Sequence, residues 1–136
     1  MILLYSSLFF FFIGYLATVV LEAIILIPFL SSRHSLKIKL VSCALLTAFT
    51  YPFVVFFFPK LILDTFGELF YVLIAETFAP FAECVLFCII IKKSYKKLCC
   101  LSTIRDFAVI IFANIFSFLI GEFFWFQLKE YFENIH

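Results

Sequence analysis

Charged residues divide this chain into four apolar blocks: Leu8 to Leu30, Leu40 to Phe58, Leu69 to Ile91 and Phe107 to Gln127. Each is close to the ~20 residues that cross a ~30 Å hydrocarbon layer as a helix. The blocks show no two-residue alternation, and an open sheet in lipid would leave backbone groups unpaired, so helices are expected rather than strands. Composition points the same way. Of 136 residues, 66% are hydrophobic and 14% charged, with a mean hydropathy of +1.21, against about 45–50% and 25% in soluble domains. One soluble core cannot hide so many apolar side chains. The expected fold is all-α and polytopic, a single transmembrane domain over residues 1–136 with helices at 8–30, 40–58, 69–91 and 107–127. Pro52 and Pro80 fall inside blocks, where a missing N–H and a ring clash favour kinks.

The cations set an orientation. Arg33, Lys37 and Lys39 lie between the first two blocks, and Lys92, Lys93, Lys96, Lys97 and Arg105 between the last two, so eight of ten cations share one side. By the positive-inside tendency those loops are cytoplasmic, and both termini and the Lys60 to Glu68 loop lie outside. Tyr5, Tyr71, Trp125 and Tyr131 then gather at the outer interface, where amphipathic rings settle. The first block lacks a basic n-region and a small-residue cleavage pattern, and reads as a retained helix of a multi-pass inner (plasma) membrane protein.

Several function classes are disfavoured. A formal charge of +1 does not suit a nucleic-acid partner held by bulk positive charge. Cys43, Cys84, Cys88, Cys99 and Cys100 all map to the membrane or the reducing face, against disulfides. Cys84 and Cys88 share a helix face, but no further Cys pair or helical His completes a metal site. Cys99 and Cys100, beside Lys96 and Lys97, read as interfacial thiols. His34 reads as a solvated loop residue. No nucleophile triad, H-E-x-x-H, phosphate loop or haem-spaced His pair is present, so neither an enzyme nor a cofactor is expected.

The informative residues are polar ones at matched depth. Glu22 lies nine positions before Ser31, and Glu83 nine before Lys92; Thr47 lies eight beyond Lys39, and Asn114 eight beyond Asp106, followed three later by Thr50 and Ser117. At 1.5 Å per residue all lie roughly 12–16 Å from the cytoplasmic edge. The pattern suggests two parallel two-helix repeats, each a helix with a mid-membrane Glu, a basic loop and a returning helix with two polar residues.

The stretches Leu21-Glu22-Ala23-Ile24-Ile25, Thr47-Ala48-Phe49-Thr50-Tyr51-Pro52, Ala82-Glu83-Cys84-Val85 and Asn114 to Gly121 resemble a group of small four-helix bacterial inner-membrane proteins. Their pattern is E, then N-x-x-T-x-P, then E, then N-x-x-S-x-x-x-G, with Thr47 here in place of the first Asn. The resemblance implies the fold and carries no activity with it. Asn114 to Gly121 also resembles the N-x-x-G-S-F-x-x-G stretch of the small fluoride channels, whose Gly-rich first helix and Thr/Phe-rich third helix have no counterpart here.

Four carboxylates, Glu22, Glu76, Glu83 and Glu122, fall in the spans without an intramembrane Lys or Arg. Ionised acids at depth cost roughly 2.5–3.5 kcal/mol each on insertion scales. They must be protonated, face water, bind a cation or meet a positive group from elsewhere. Ala113, Ser117 and Gly121 form a small-residue stripe for close packing of the fourth helix against the third. That docking is expected to bring Asn114 and Ser117 to Glu83, and Glu122 to Glu76 as an outer carboxyl pair sharing a proton. One reading makes the chain a subunit of a larger inner-membrane assembly, with membrane-protein partners or further copies of itself beside the lipid. The alternative is a homo-oligomeric proton- or cation-coupled carrier or channel for a small solute.

Overall fold

The structure, a computed structural model, describes residues 2–91 and 101–133. Lys92, Lys93, Lys96, Lys97, Cys99 and Cys100 lie outside the described residues, as do the side chains of Tyr5, Trp125 and Tyr131. Every element of the described chain is helical: α1 (Ile2–Phe29), α2 (Leu36–Pro52), two π-helical segments π1 (Phe53–Phe57) and π2 (Pro59–Leu63), a short α3 (Asp64–Phe66), α4 (Glu68–Ile90) and α5 (Leu101–Glu133). Together α2, π1 and π2 form one rod, so the bundle has four helices long and apolar enough to cross a membrane. The protein is an all-α, four-helix, multi-pass membrane protein.

The four rods close into a ring. α1 packs on α2 and α5, and α4 packs on the same two helices, leaving α1 diagonal to α4. Neighbours run antiparallel: on α1 and α5, Glu22 meets Ser117 and Ser31 meets Asp106. The end where α1 passes to α2 and α5 begins carries Arg33, Lys37, Lys39 and Arg105, and is termed here the basic end; the other is the terminal end. At the basic end, Lys39 Nζ donates to the carbonyls of Ile27 and Leu30 at 2.7 and 2.8 Å, satisfying acceptors that the end of α1 leaves without intrahelical partners. Ser35 caps α2 by accepting from the Ile38 N–H at 3.4 Å.

The second rod departs from the sequence expectation. Instead of ending at Phe58 and passing into a loop, the chain stays helical to Phe66 and turns at Gly67, with φ 82° and ψ 175°. A proline ring collides with the carbonyl four residues earlier. Pro52 and Pro59, seven positions apart, are each followed by wider π turns, in which the Phe58 N–H reaches back to the Phe53 carbonyl. This widening offers a way to continue past two prolines without breaking the rod. Pro80 lies inside continuous α4 and is buried. At the other boundaries α1 and α5 run past the expected limits, α5 from Leu101 to Glu133.

Packing is uneven along the bundle axis. Leu26, Leu30, Cys43, Leu46, Phe87, Ile110 and Ala113 form the main core. Each of Leu26, Phe87, Ile110, Cys43 and Leu46 lies one helical turn to the basic side of a polar residue of the central layer, about 6 Å along the axis. Toward the terminal end a smaller cluster of Phe58, Ile62 and Ala75 joins π1, π2 and α4. α1 stays on the second rod through Phe11, whose ring stacks on Phe56 at 4.7 Å and meets Tyr51 at 5.2 Å. α5 does not follow. Beyond Ser117 none of its described side chains is buried, and a Cβ added at Gly121 would have nothing within 4 Å. Of the expected packing stripe, Ala113 and Ser117 are buried and Gly121 is not. The correction is physical: α5 packs tightly only at the central polar layer and against the apolar cluster beneath it, and Gly121 lies one turn beyond that contact.

Candidate functional site: a buried carboxyl pair

Glu22 on α1 and Glu83 on α4 face inward from diagonal positions and are 2% and 1% exposed. Both are within electrostatic reach of each other. α2 and α5 supply the donors between them. Thr47 Oγ1 donates to Glu22 Oε2 at 2.6 Å, and Thr50 Oγ1 to Glu83 Oε1 at 2.9 Å. Asn114 Nδ2 donates to Glu83 Oε2 at 2.7 Å, and Ser117 Oγ approaches Glu22 Oε1 at 3.5 Å. Glu22, Thr47, Thr50, Glu83, Asn114 and Ser117 therefore come together in one layer. Ser117 reaches Glu22 rather than Glu83, because α5 sits between α1 and α4 and its next turn faces α1.

The network has an exchange symmetry. Swapping Glu22 with Glu83, Thr47 with Asn114 and Thr50 with Ser117 carries every one of these four bonds onto another. The backbone partners largely follow. Thr47 also reaches the Cys43 carbonyl at 3.0 Å, and Asn114 the Ile110 carbonyl at 3.1 Å, each four residues back.

Proton counting shows what the layer can do. A hydroxyl has one proton to donate. Thr47 has two acceptors, Glu22 Oε2 and the Cys43 carbonyl; Thr50 has Glu83 Oε1 and the Leu46 carbonyl at 3.1 Å; Ser117 has Glu22 Oε1 and the Asn114 carbonyl at 3.0 Å. If a carboxyl is ionised, the hydroxyl points at it. If the carboxyl is protonated, it donates to the hydroxyl oxygen, which turns its own proton to the carbonyl behind. Either protonation state is satisfied with the heavy atoms in place. Asn114 differs, since its two N–H groups hold Glu83 Oε2 and the Ile110 carbonyl at once.

Neither ion pair found among the described residues involves these acids. No group of three or more His, Cys, Asp or Glu able to hold a metal occurs there either. Glu76 is half-buried on α4 and Glu122 exposed on α5. They are within electrostatic reach of each other, with Tyr71 near both, but the two carboxyls are not hydrogen-bonded to one another. The expected proton-sharing contact is not formed: no described α5 side chain past Ser117 is buried, and Glu122 is exposed.

A second polar cluster was missed by sequence reasoning. Asp106, expected only as a loop residue at the start of the fourth span, is fully buried at the basic end. Its Oδ1 accepts from the Ser31 N–H at 2.8 Å, and its Oδ2 from Arg33 Nη2 at 2.6 Å. His34 Nε2 lies 3.0 Å from the same Oδ2, and Arg33 Nη1 also bonds Ser102. His34 is therefore not a solvated loop residue: its side chain is 8% exposed, and its ring stands edge-on to Phe87 at 5.4 Å. The available signal was Asp106 itself, an acid at the start of a span facing a loop that holds Arg and His.

No family model, curated protein or solved structure matches the chain.

Proposed function

We propose that this protein is a small inner-membrane protein whose interior carboxyl pair binds and releases a proton, and that it works as a proton-coupled carrier or channel for a small solute. One observation carries the reading: two acids fully buried in one layer, with hydroxyl donors that have a second acceptor each. A purely structural layer needs only one satisfied arrangement, whereas this one accommodates two. The non-reversing donor, Asn114, favours an ionised Glu83, so a single shared proton rests on Glu22.

The exchange symmetry of the bonds supports an origin of the chain as two copies of a helix hairpin, with the carboxyl pair at the boundary between copies. Cation placement supports an orientation with the basic end in the cytoplasm and both termini outside. The test is flux. Purified protein in liposomes holding a trapped pH indicator should acidify the lumen under an imposed membrane potential, and Glu83→Gln should abolish the signal. Unchanged flux in Glu83→Gln rejects the role given to that residue.

A second reading, a subunit of a larger assembly, is favoured by the uncovered terminal half of α5, where Glu122 is exposed within the fourth span. An acid against acyl chains is costly, and a neighbouring subunit would cover it. Extraction in a mild detergent should then recover the chain with defined partners, whereas a lone monomer rejects this reading.

A further inference from the structure

The two sides of the carboxyl pair are closed to different extents. Toward the basic end, Leu26, Leu46, Phe87 and Ile110, all fully buried, fill the ring directly beneath the acids. Below them the Asp106 cluster ties the 30–35 connection to the start of α5, and the His34 ring against Phe87 joins cluster to plug. Toward the terminal end packing thins on the α1 and α5 side. The second rod and α4 still bury Phe58, Ile62 and Ala75, whereas none of residues 9–21 of α1 is buried, nor is any described α5 side chain past Ser117. Gly121 faces open space. The acids thus sit at the upper boundary of the tightly packed half.

We propose that the clasp of Arg33, His34 and Asp106, with Phe87 above it, is the basic-end gate of the Glu22–Glu83 centre. In the arrangement described here the centre exchanges with the terminal side. Exchange with the basic side requires the clasp to release and α5 to part from α1. The clasp is suited to this because its bonds converge on one carboxylate. Asp106 holds the Ser31 backbone, Arg33 and His34 together, so removing its charge weakens these three ties at once and leaves Arg33 its bonds to Ser102 and Thr103. The Arg33 side chain is one-third exposed, so its pairing can yield to water more readily than a sealed ion pair. Lys39 is engaged on the Ile27 and Leu30 carbonyls, and the ion pairs of the clasp are those of Arg33 and His34 with Asp106.

The inference rests on the proton-centre reading but is tested without flux. Cys43 is buried one turn beneath Thr47, inside the plug. In a protein with Cys84, Cys88, Cys99 and Cys100 replaced by Ser, a charged methanethiosulfonate offered to either face of membrane vesicles reports access to Cys43. The unaltered clasp should leave Cys43 slow to react from the basic side. Asp106→Asn and Arg33→Gln should raise that rate at least tenfold from the basic side alone, and Phe87→Ala should do so with the clasp intact. Asp106→Glu, which keeps the charge, should stay near the parent. Equal rates in parent and variants overturn the gate. Equal acceleration from both faces also overturns it, since it would mark general loosening. One-sided acceleration in a protein that carries no proton flux would sink the proton reading and leave the gate standing.

Discussion

Asn114 grips Glu83 across the α4–α5 interface with one N–H at 2.7 Å, while its other N–H stays on the Ile110 carbonyl of its own helix at 3.1 Å. The amide is thereby fixed in one orientation. Removing it leaves a buried carboxylate oxygen without a donor, which costs about 1–3 kcal/mol. Asn114→Ala should lower unfolding stability in detergent by that amount. Asn114→Thr, which places at this position the residue that serves Glu22, should lose less. Equal losses for Ala and Thr would show that the donor to Glu83 is immaterial.

Gly14 leaves room for its neighbour. A Cβ there would collide with the Tyr51 hydroxyl, and overpacking of this kind costs about 1–3 kcal/mol. Gly14→Ala should destabilise the protein, and Tyr51→Phe, which removes the colliding oxygen, should recover most of the loss. A double variant as unstable as Gly14→Ala alone would place the cause elsewhere.

Gly121 should behave in the opposite way. It is helical and nothing lies within 4 Å of the position a Cβ would take, so Gly121→Ala gains only helix propensity, up to about 1 kcal/mol. Thermal unfolding in detergent should show an unchanged or raised midpoint. A clear fall would show that α5 packs more closely there than described.

Gly67 makes the turn between the second and third spans with φ 82° and ψ 175°, a region that side chains with a Cβ scarcely enter. Gly67→Ala should cost about 1–3 kcal/mol although open space surrounds the site. Gly67→Asn should do no better, because this is not the left-handed helical region that Asn tolerates. A neutral Gly67→Ala would mean that the turn relaxes into another geometry.

The fold and much of the polar layer were legible because height in a helix is proportional to sequence separation. Equal offsets of Glu22 and Glu83 from their loops fixed a common depth before any packing was known, and Thr47, Thr50, Asn114 and Ser117 lie at that depth too. Which donor meets which acid was not legible, since it depends on the ring order of the rods; Ser117 was expected at Glu83 and lies on Glu22. The clasp was hidden for a related reason. Asp106 and His34 are 72 positions apart, and only the docking of α5 on α1 brings them to 3.0 Å. The second span was expected to end at Phe58 because π turns leave no mark in the hydrophobic pattern. Gly121 was assigned to packing from its spacing alone, and spacing does not reveal where a helix leaves its neighbours.

The exchanged partners of the two acids bear on how the chain assembles. Glu22 draws one donor from its own hairpin and one from the other, and so does Glu83. Neither half can therefore complete its own wiring after insertion. The first hairpin must wait in the bilayer half-quenched until the second emerges, and a hairpin made alone has a ready substitute in another copy of itself.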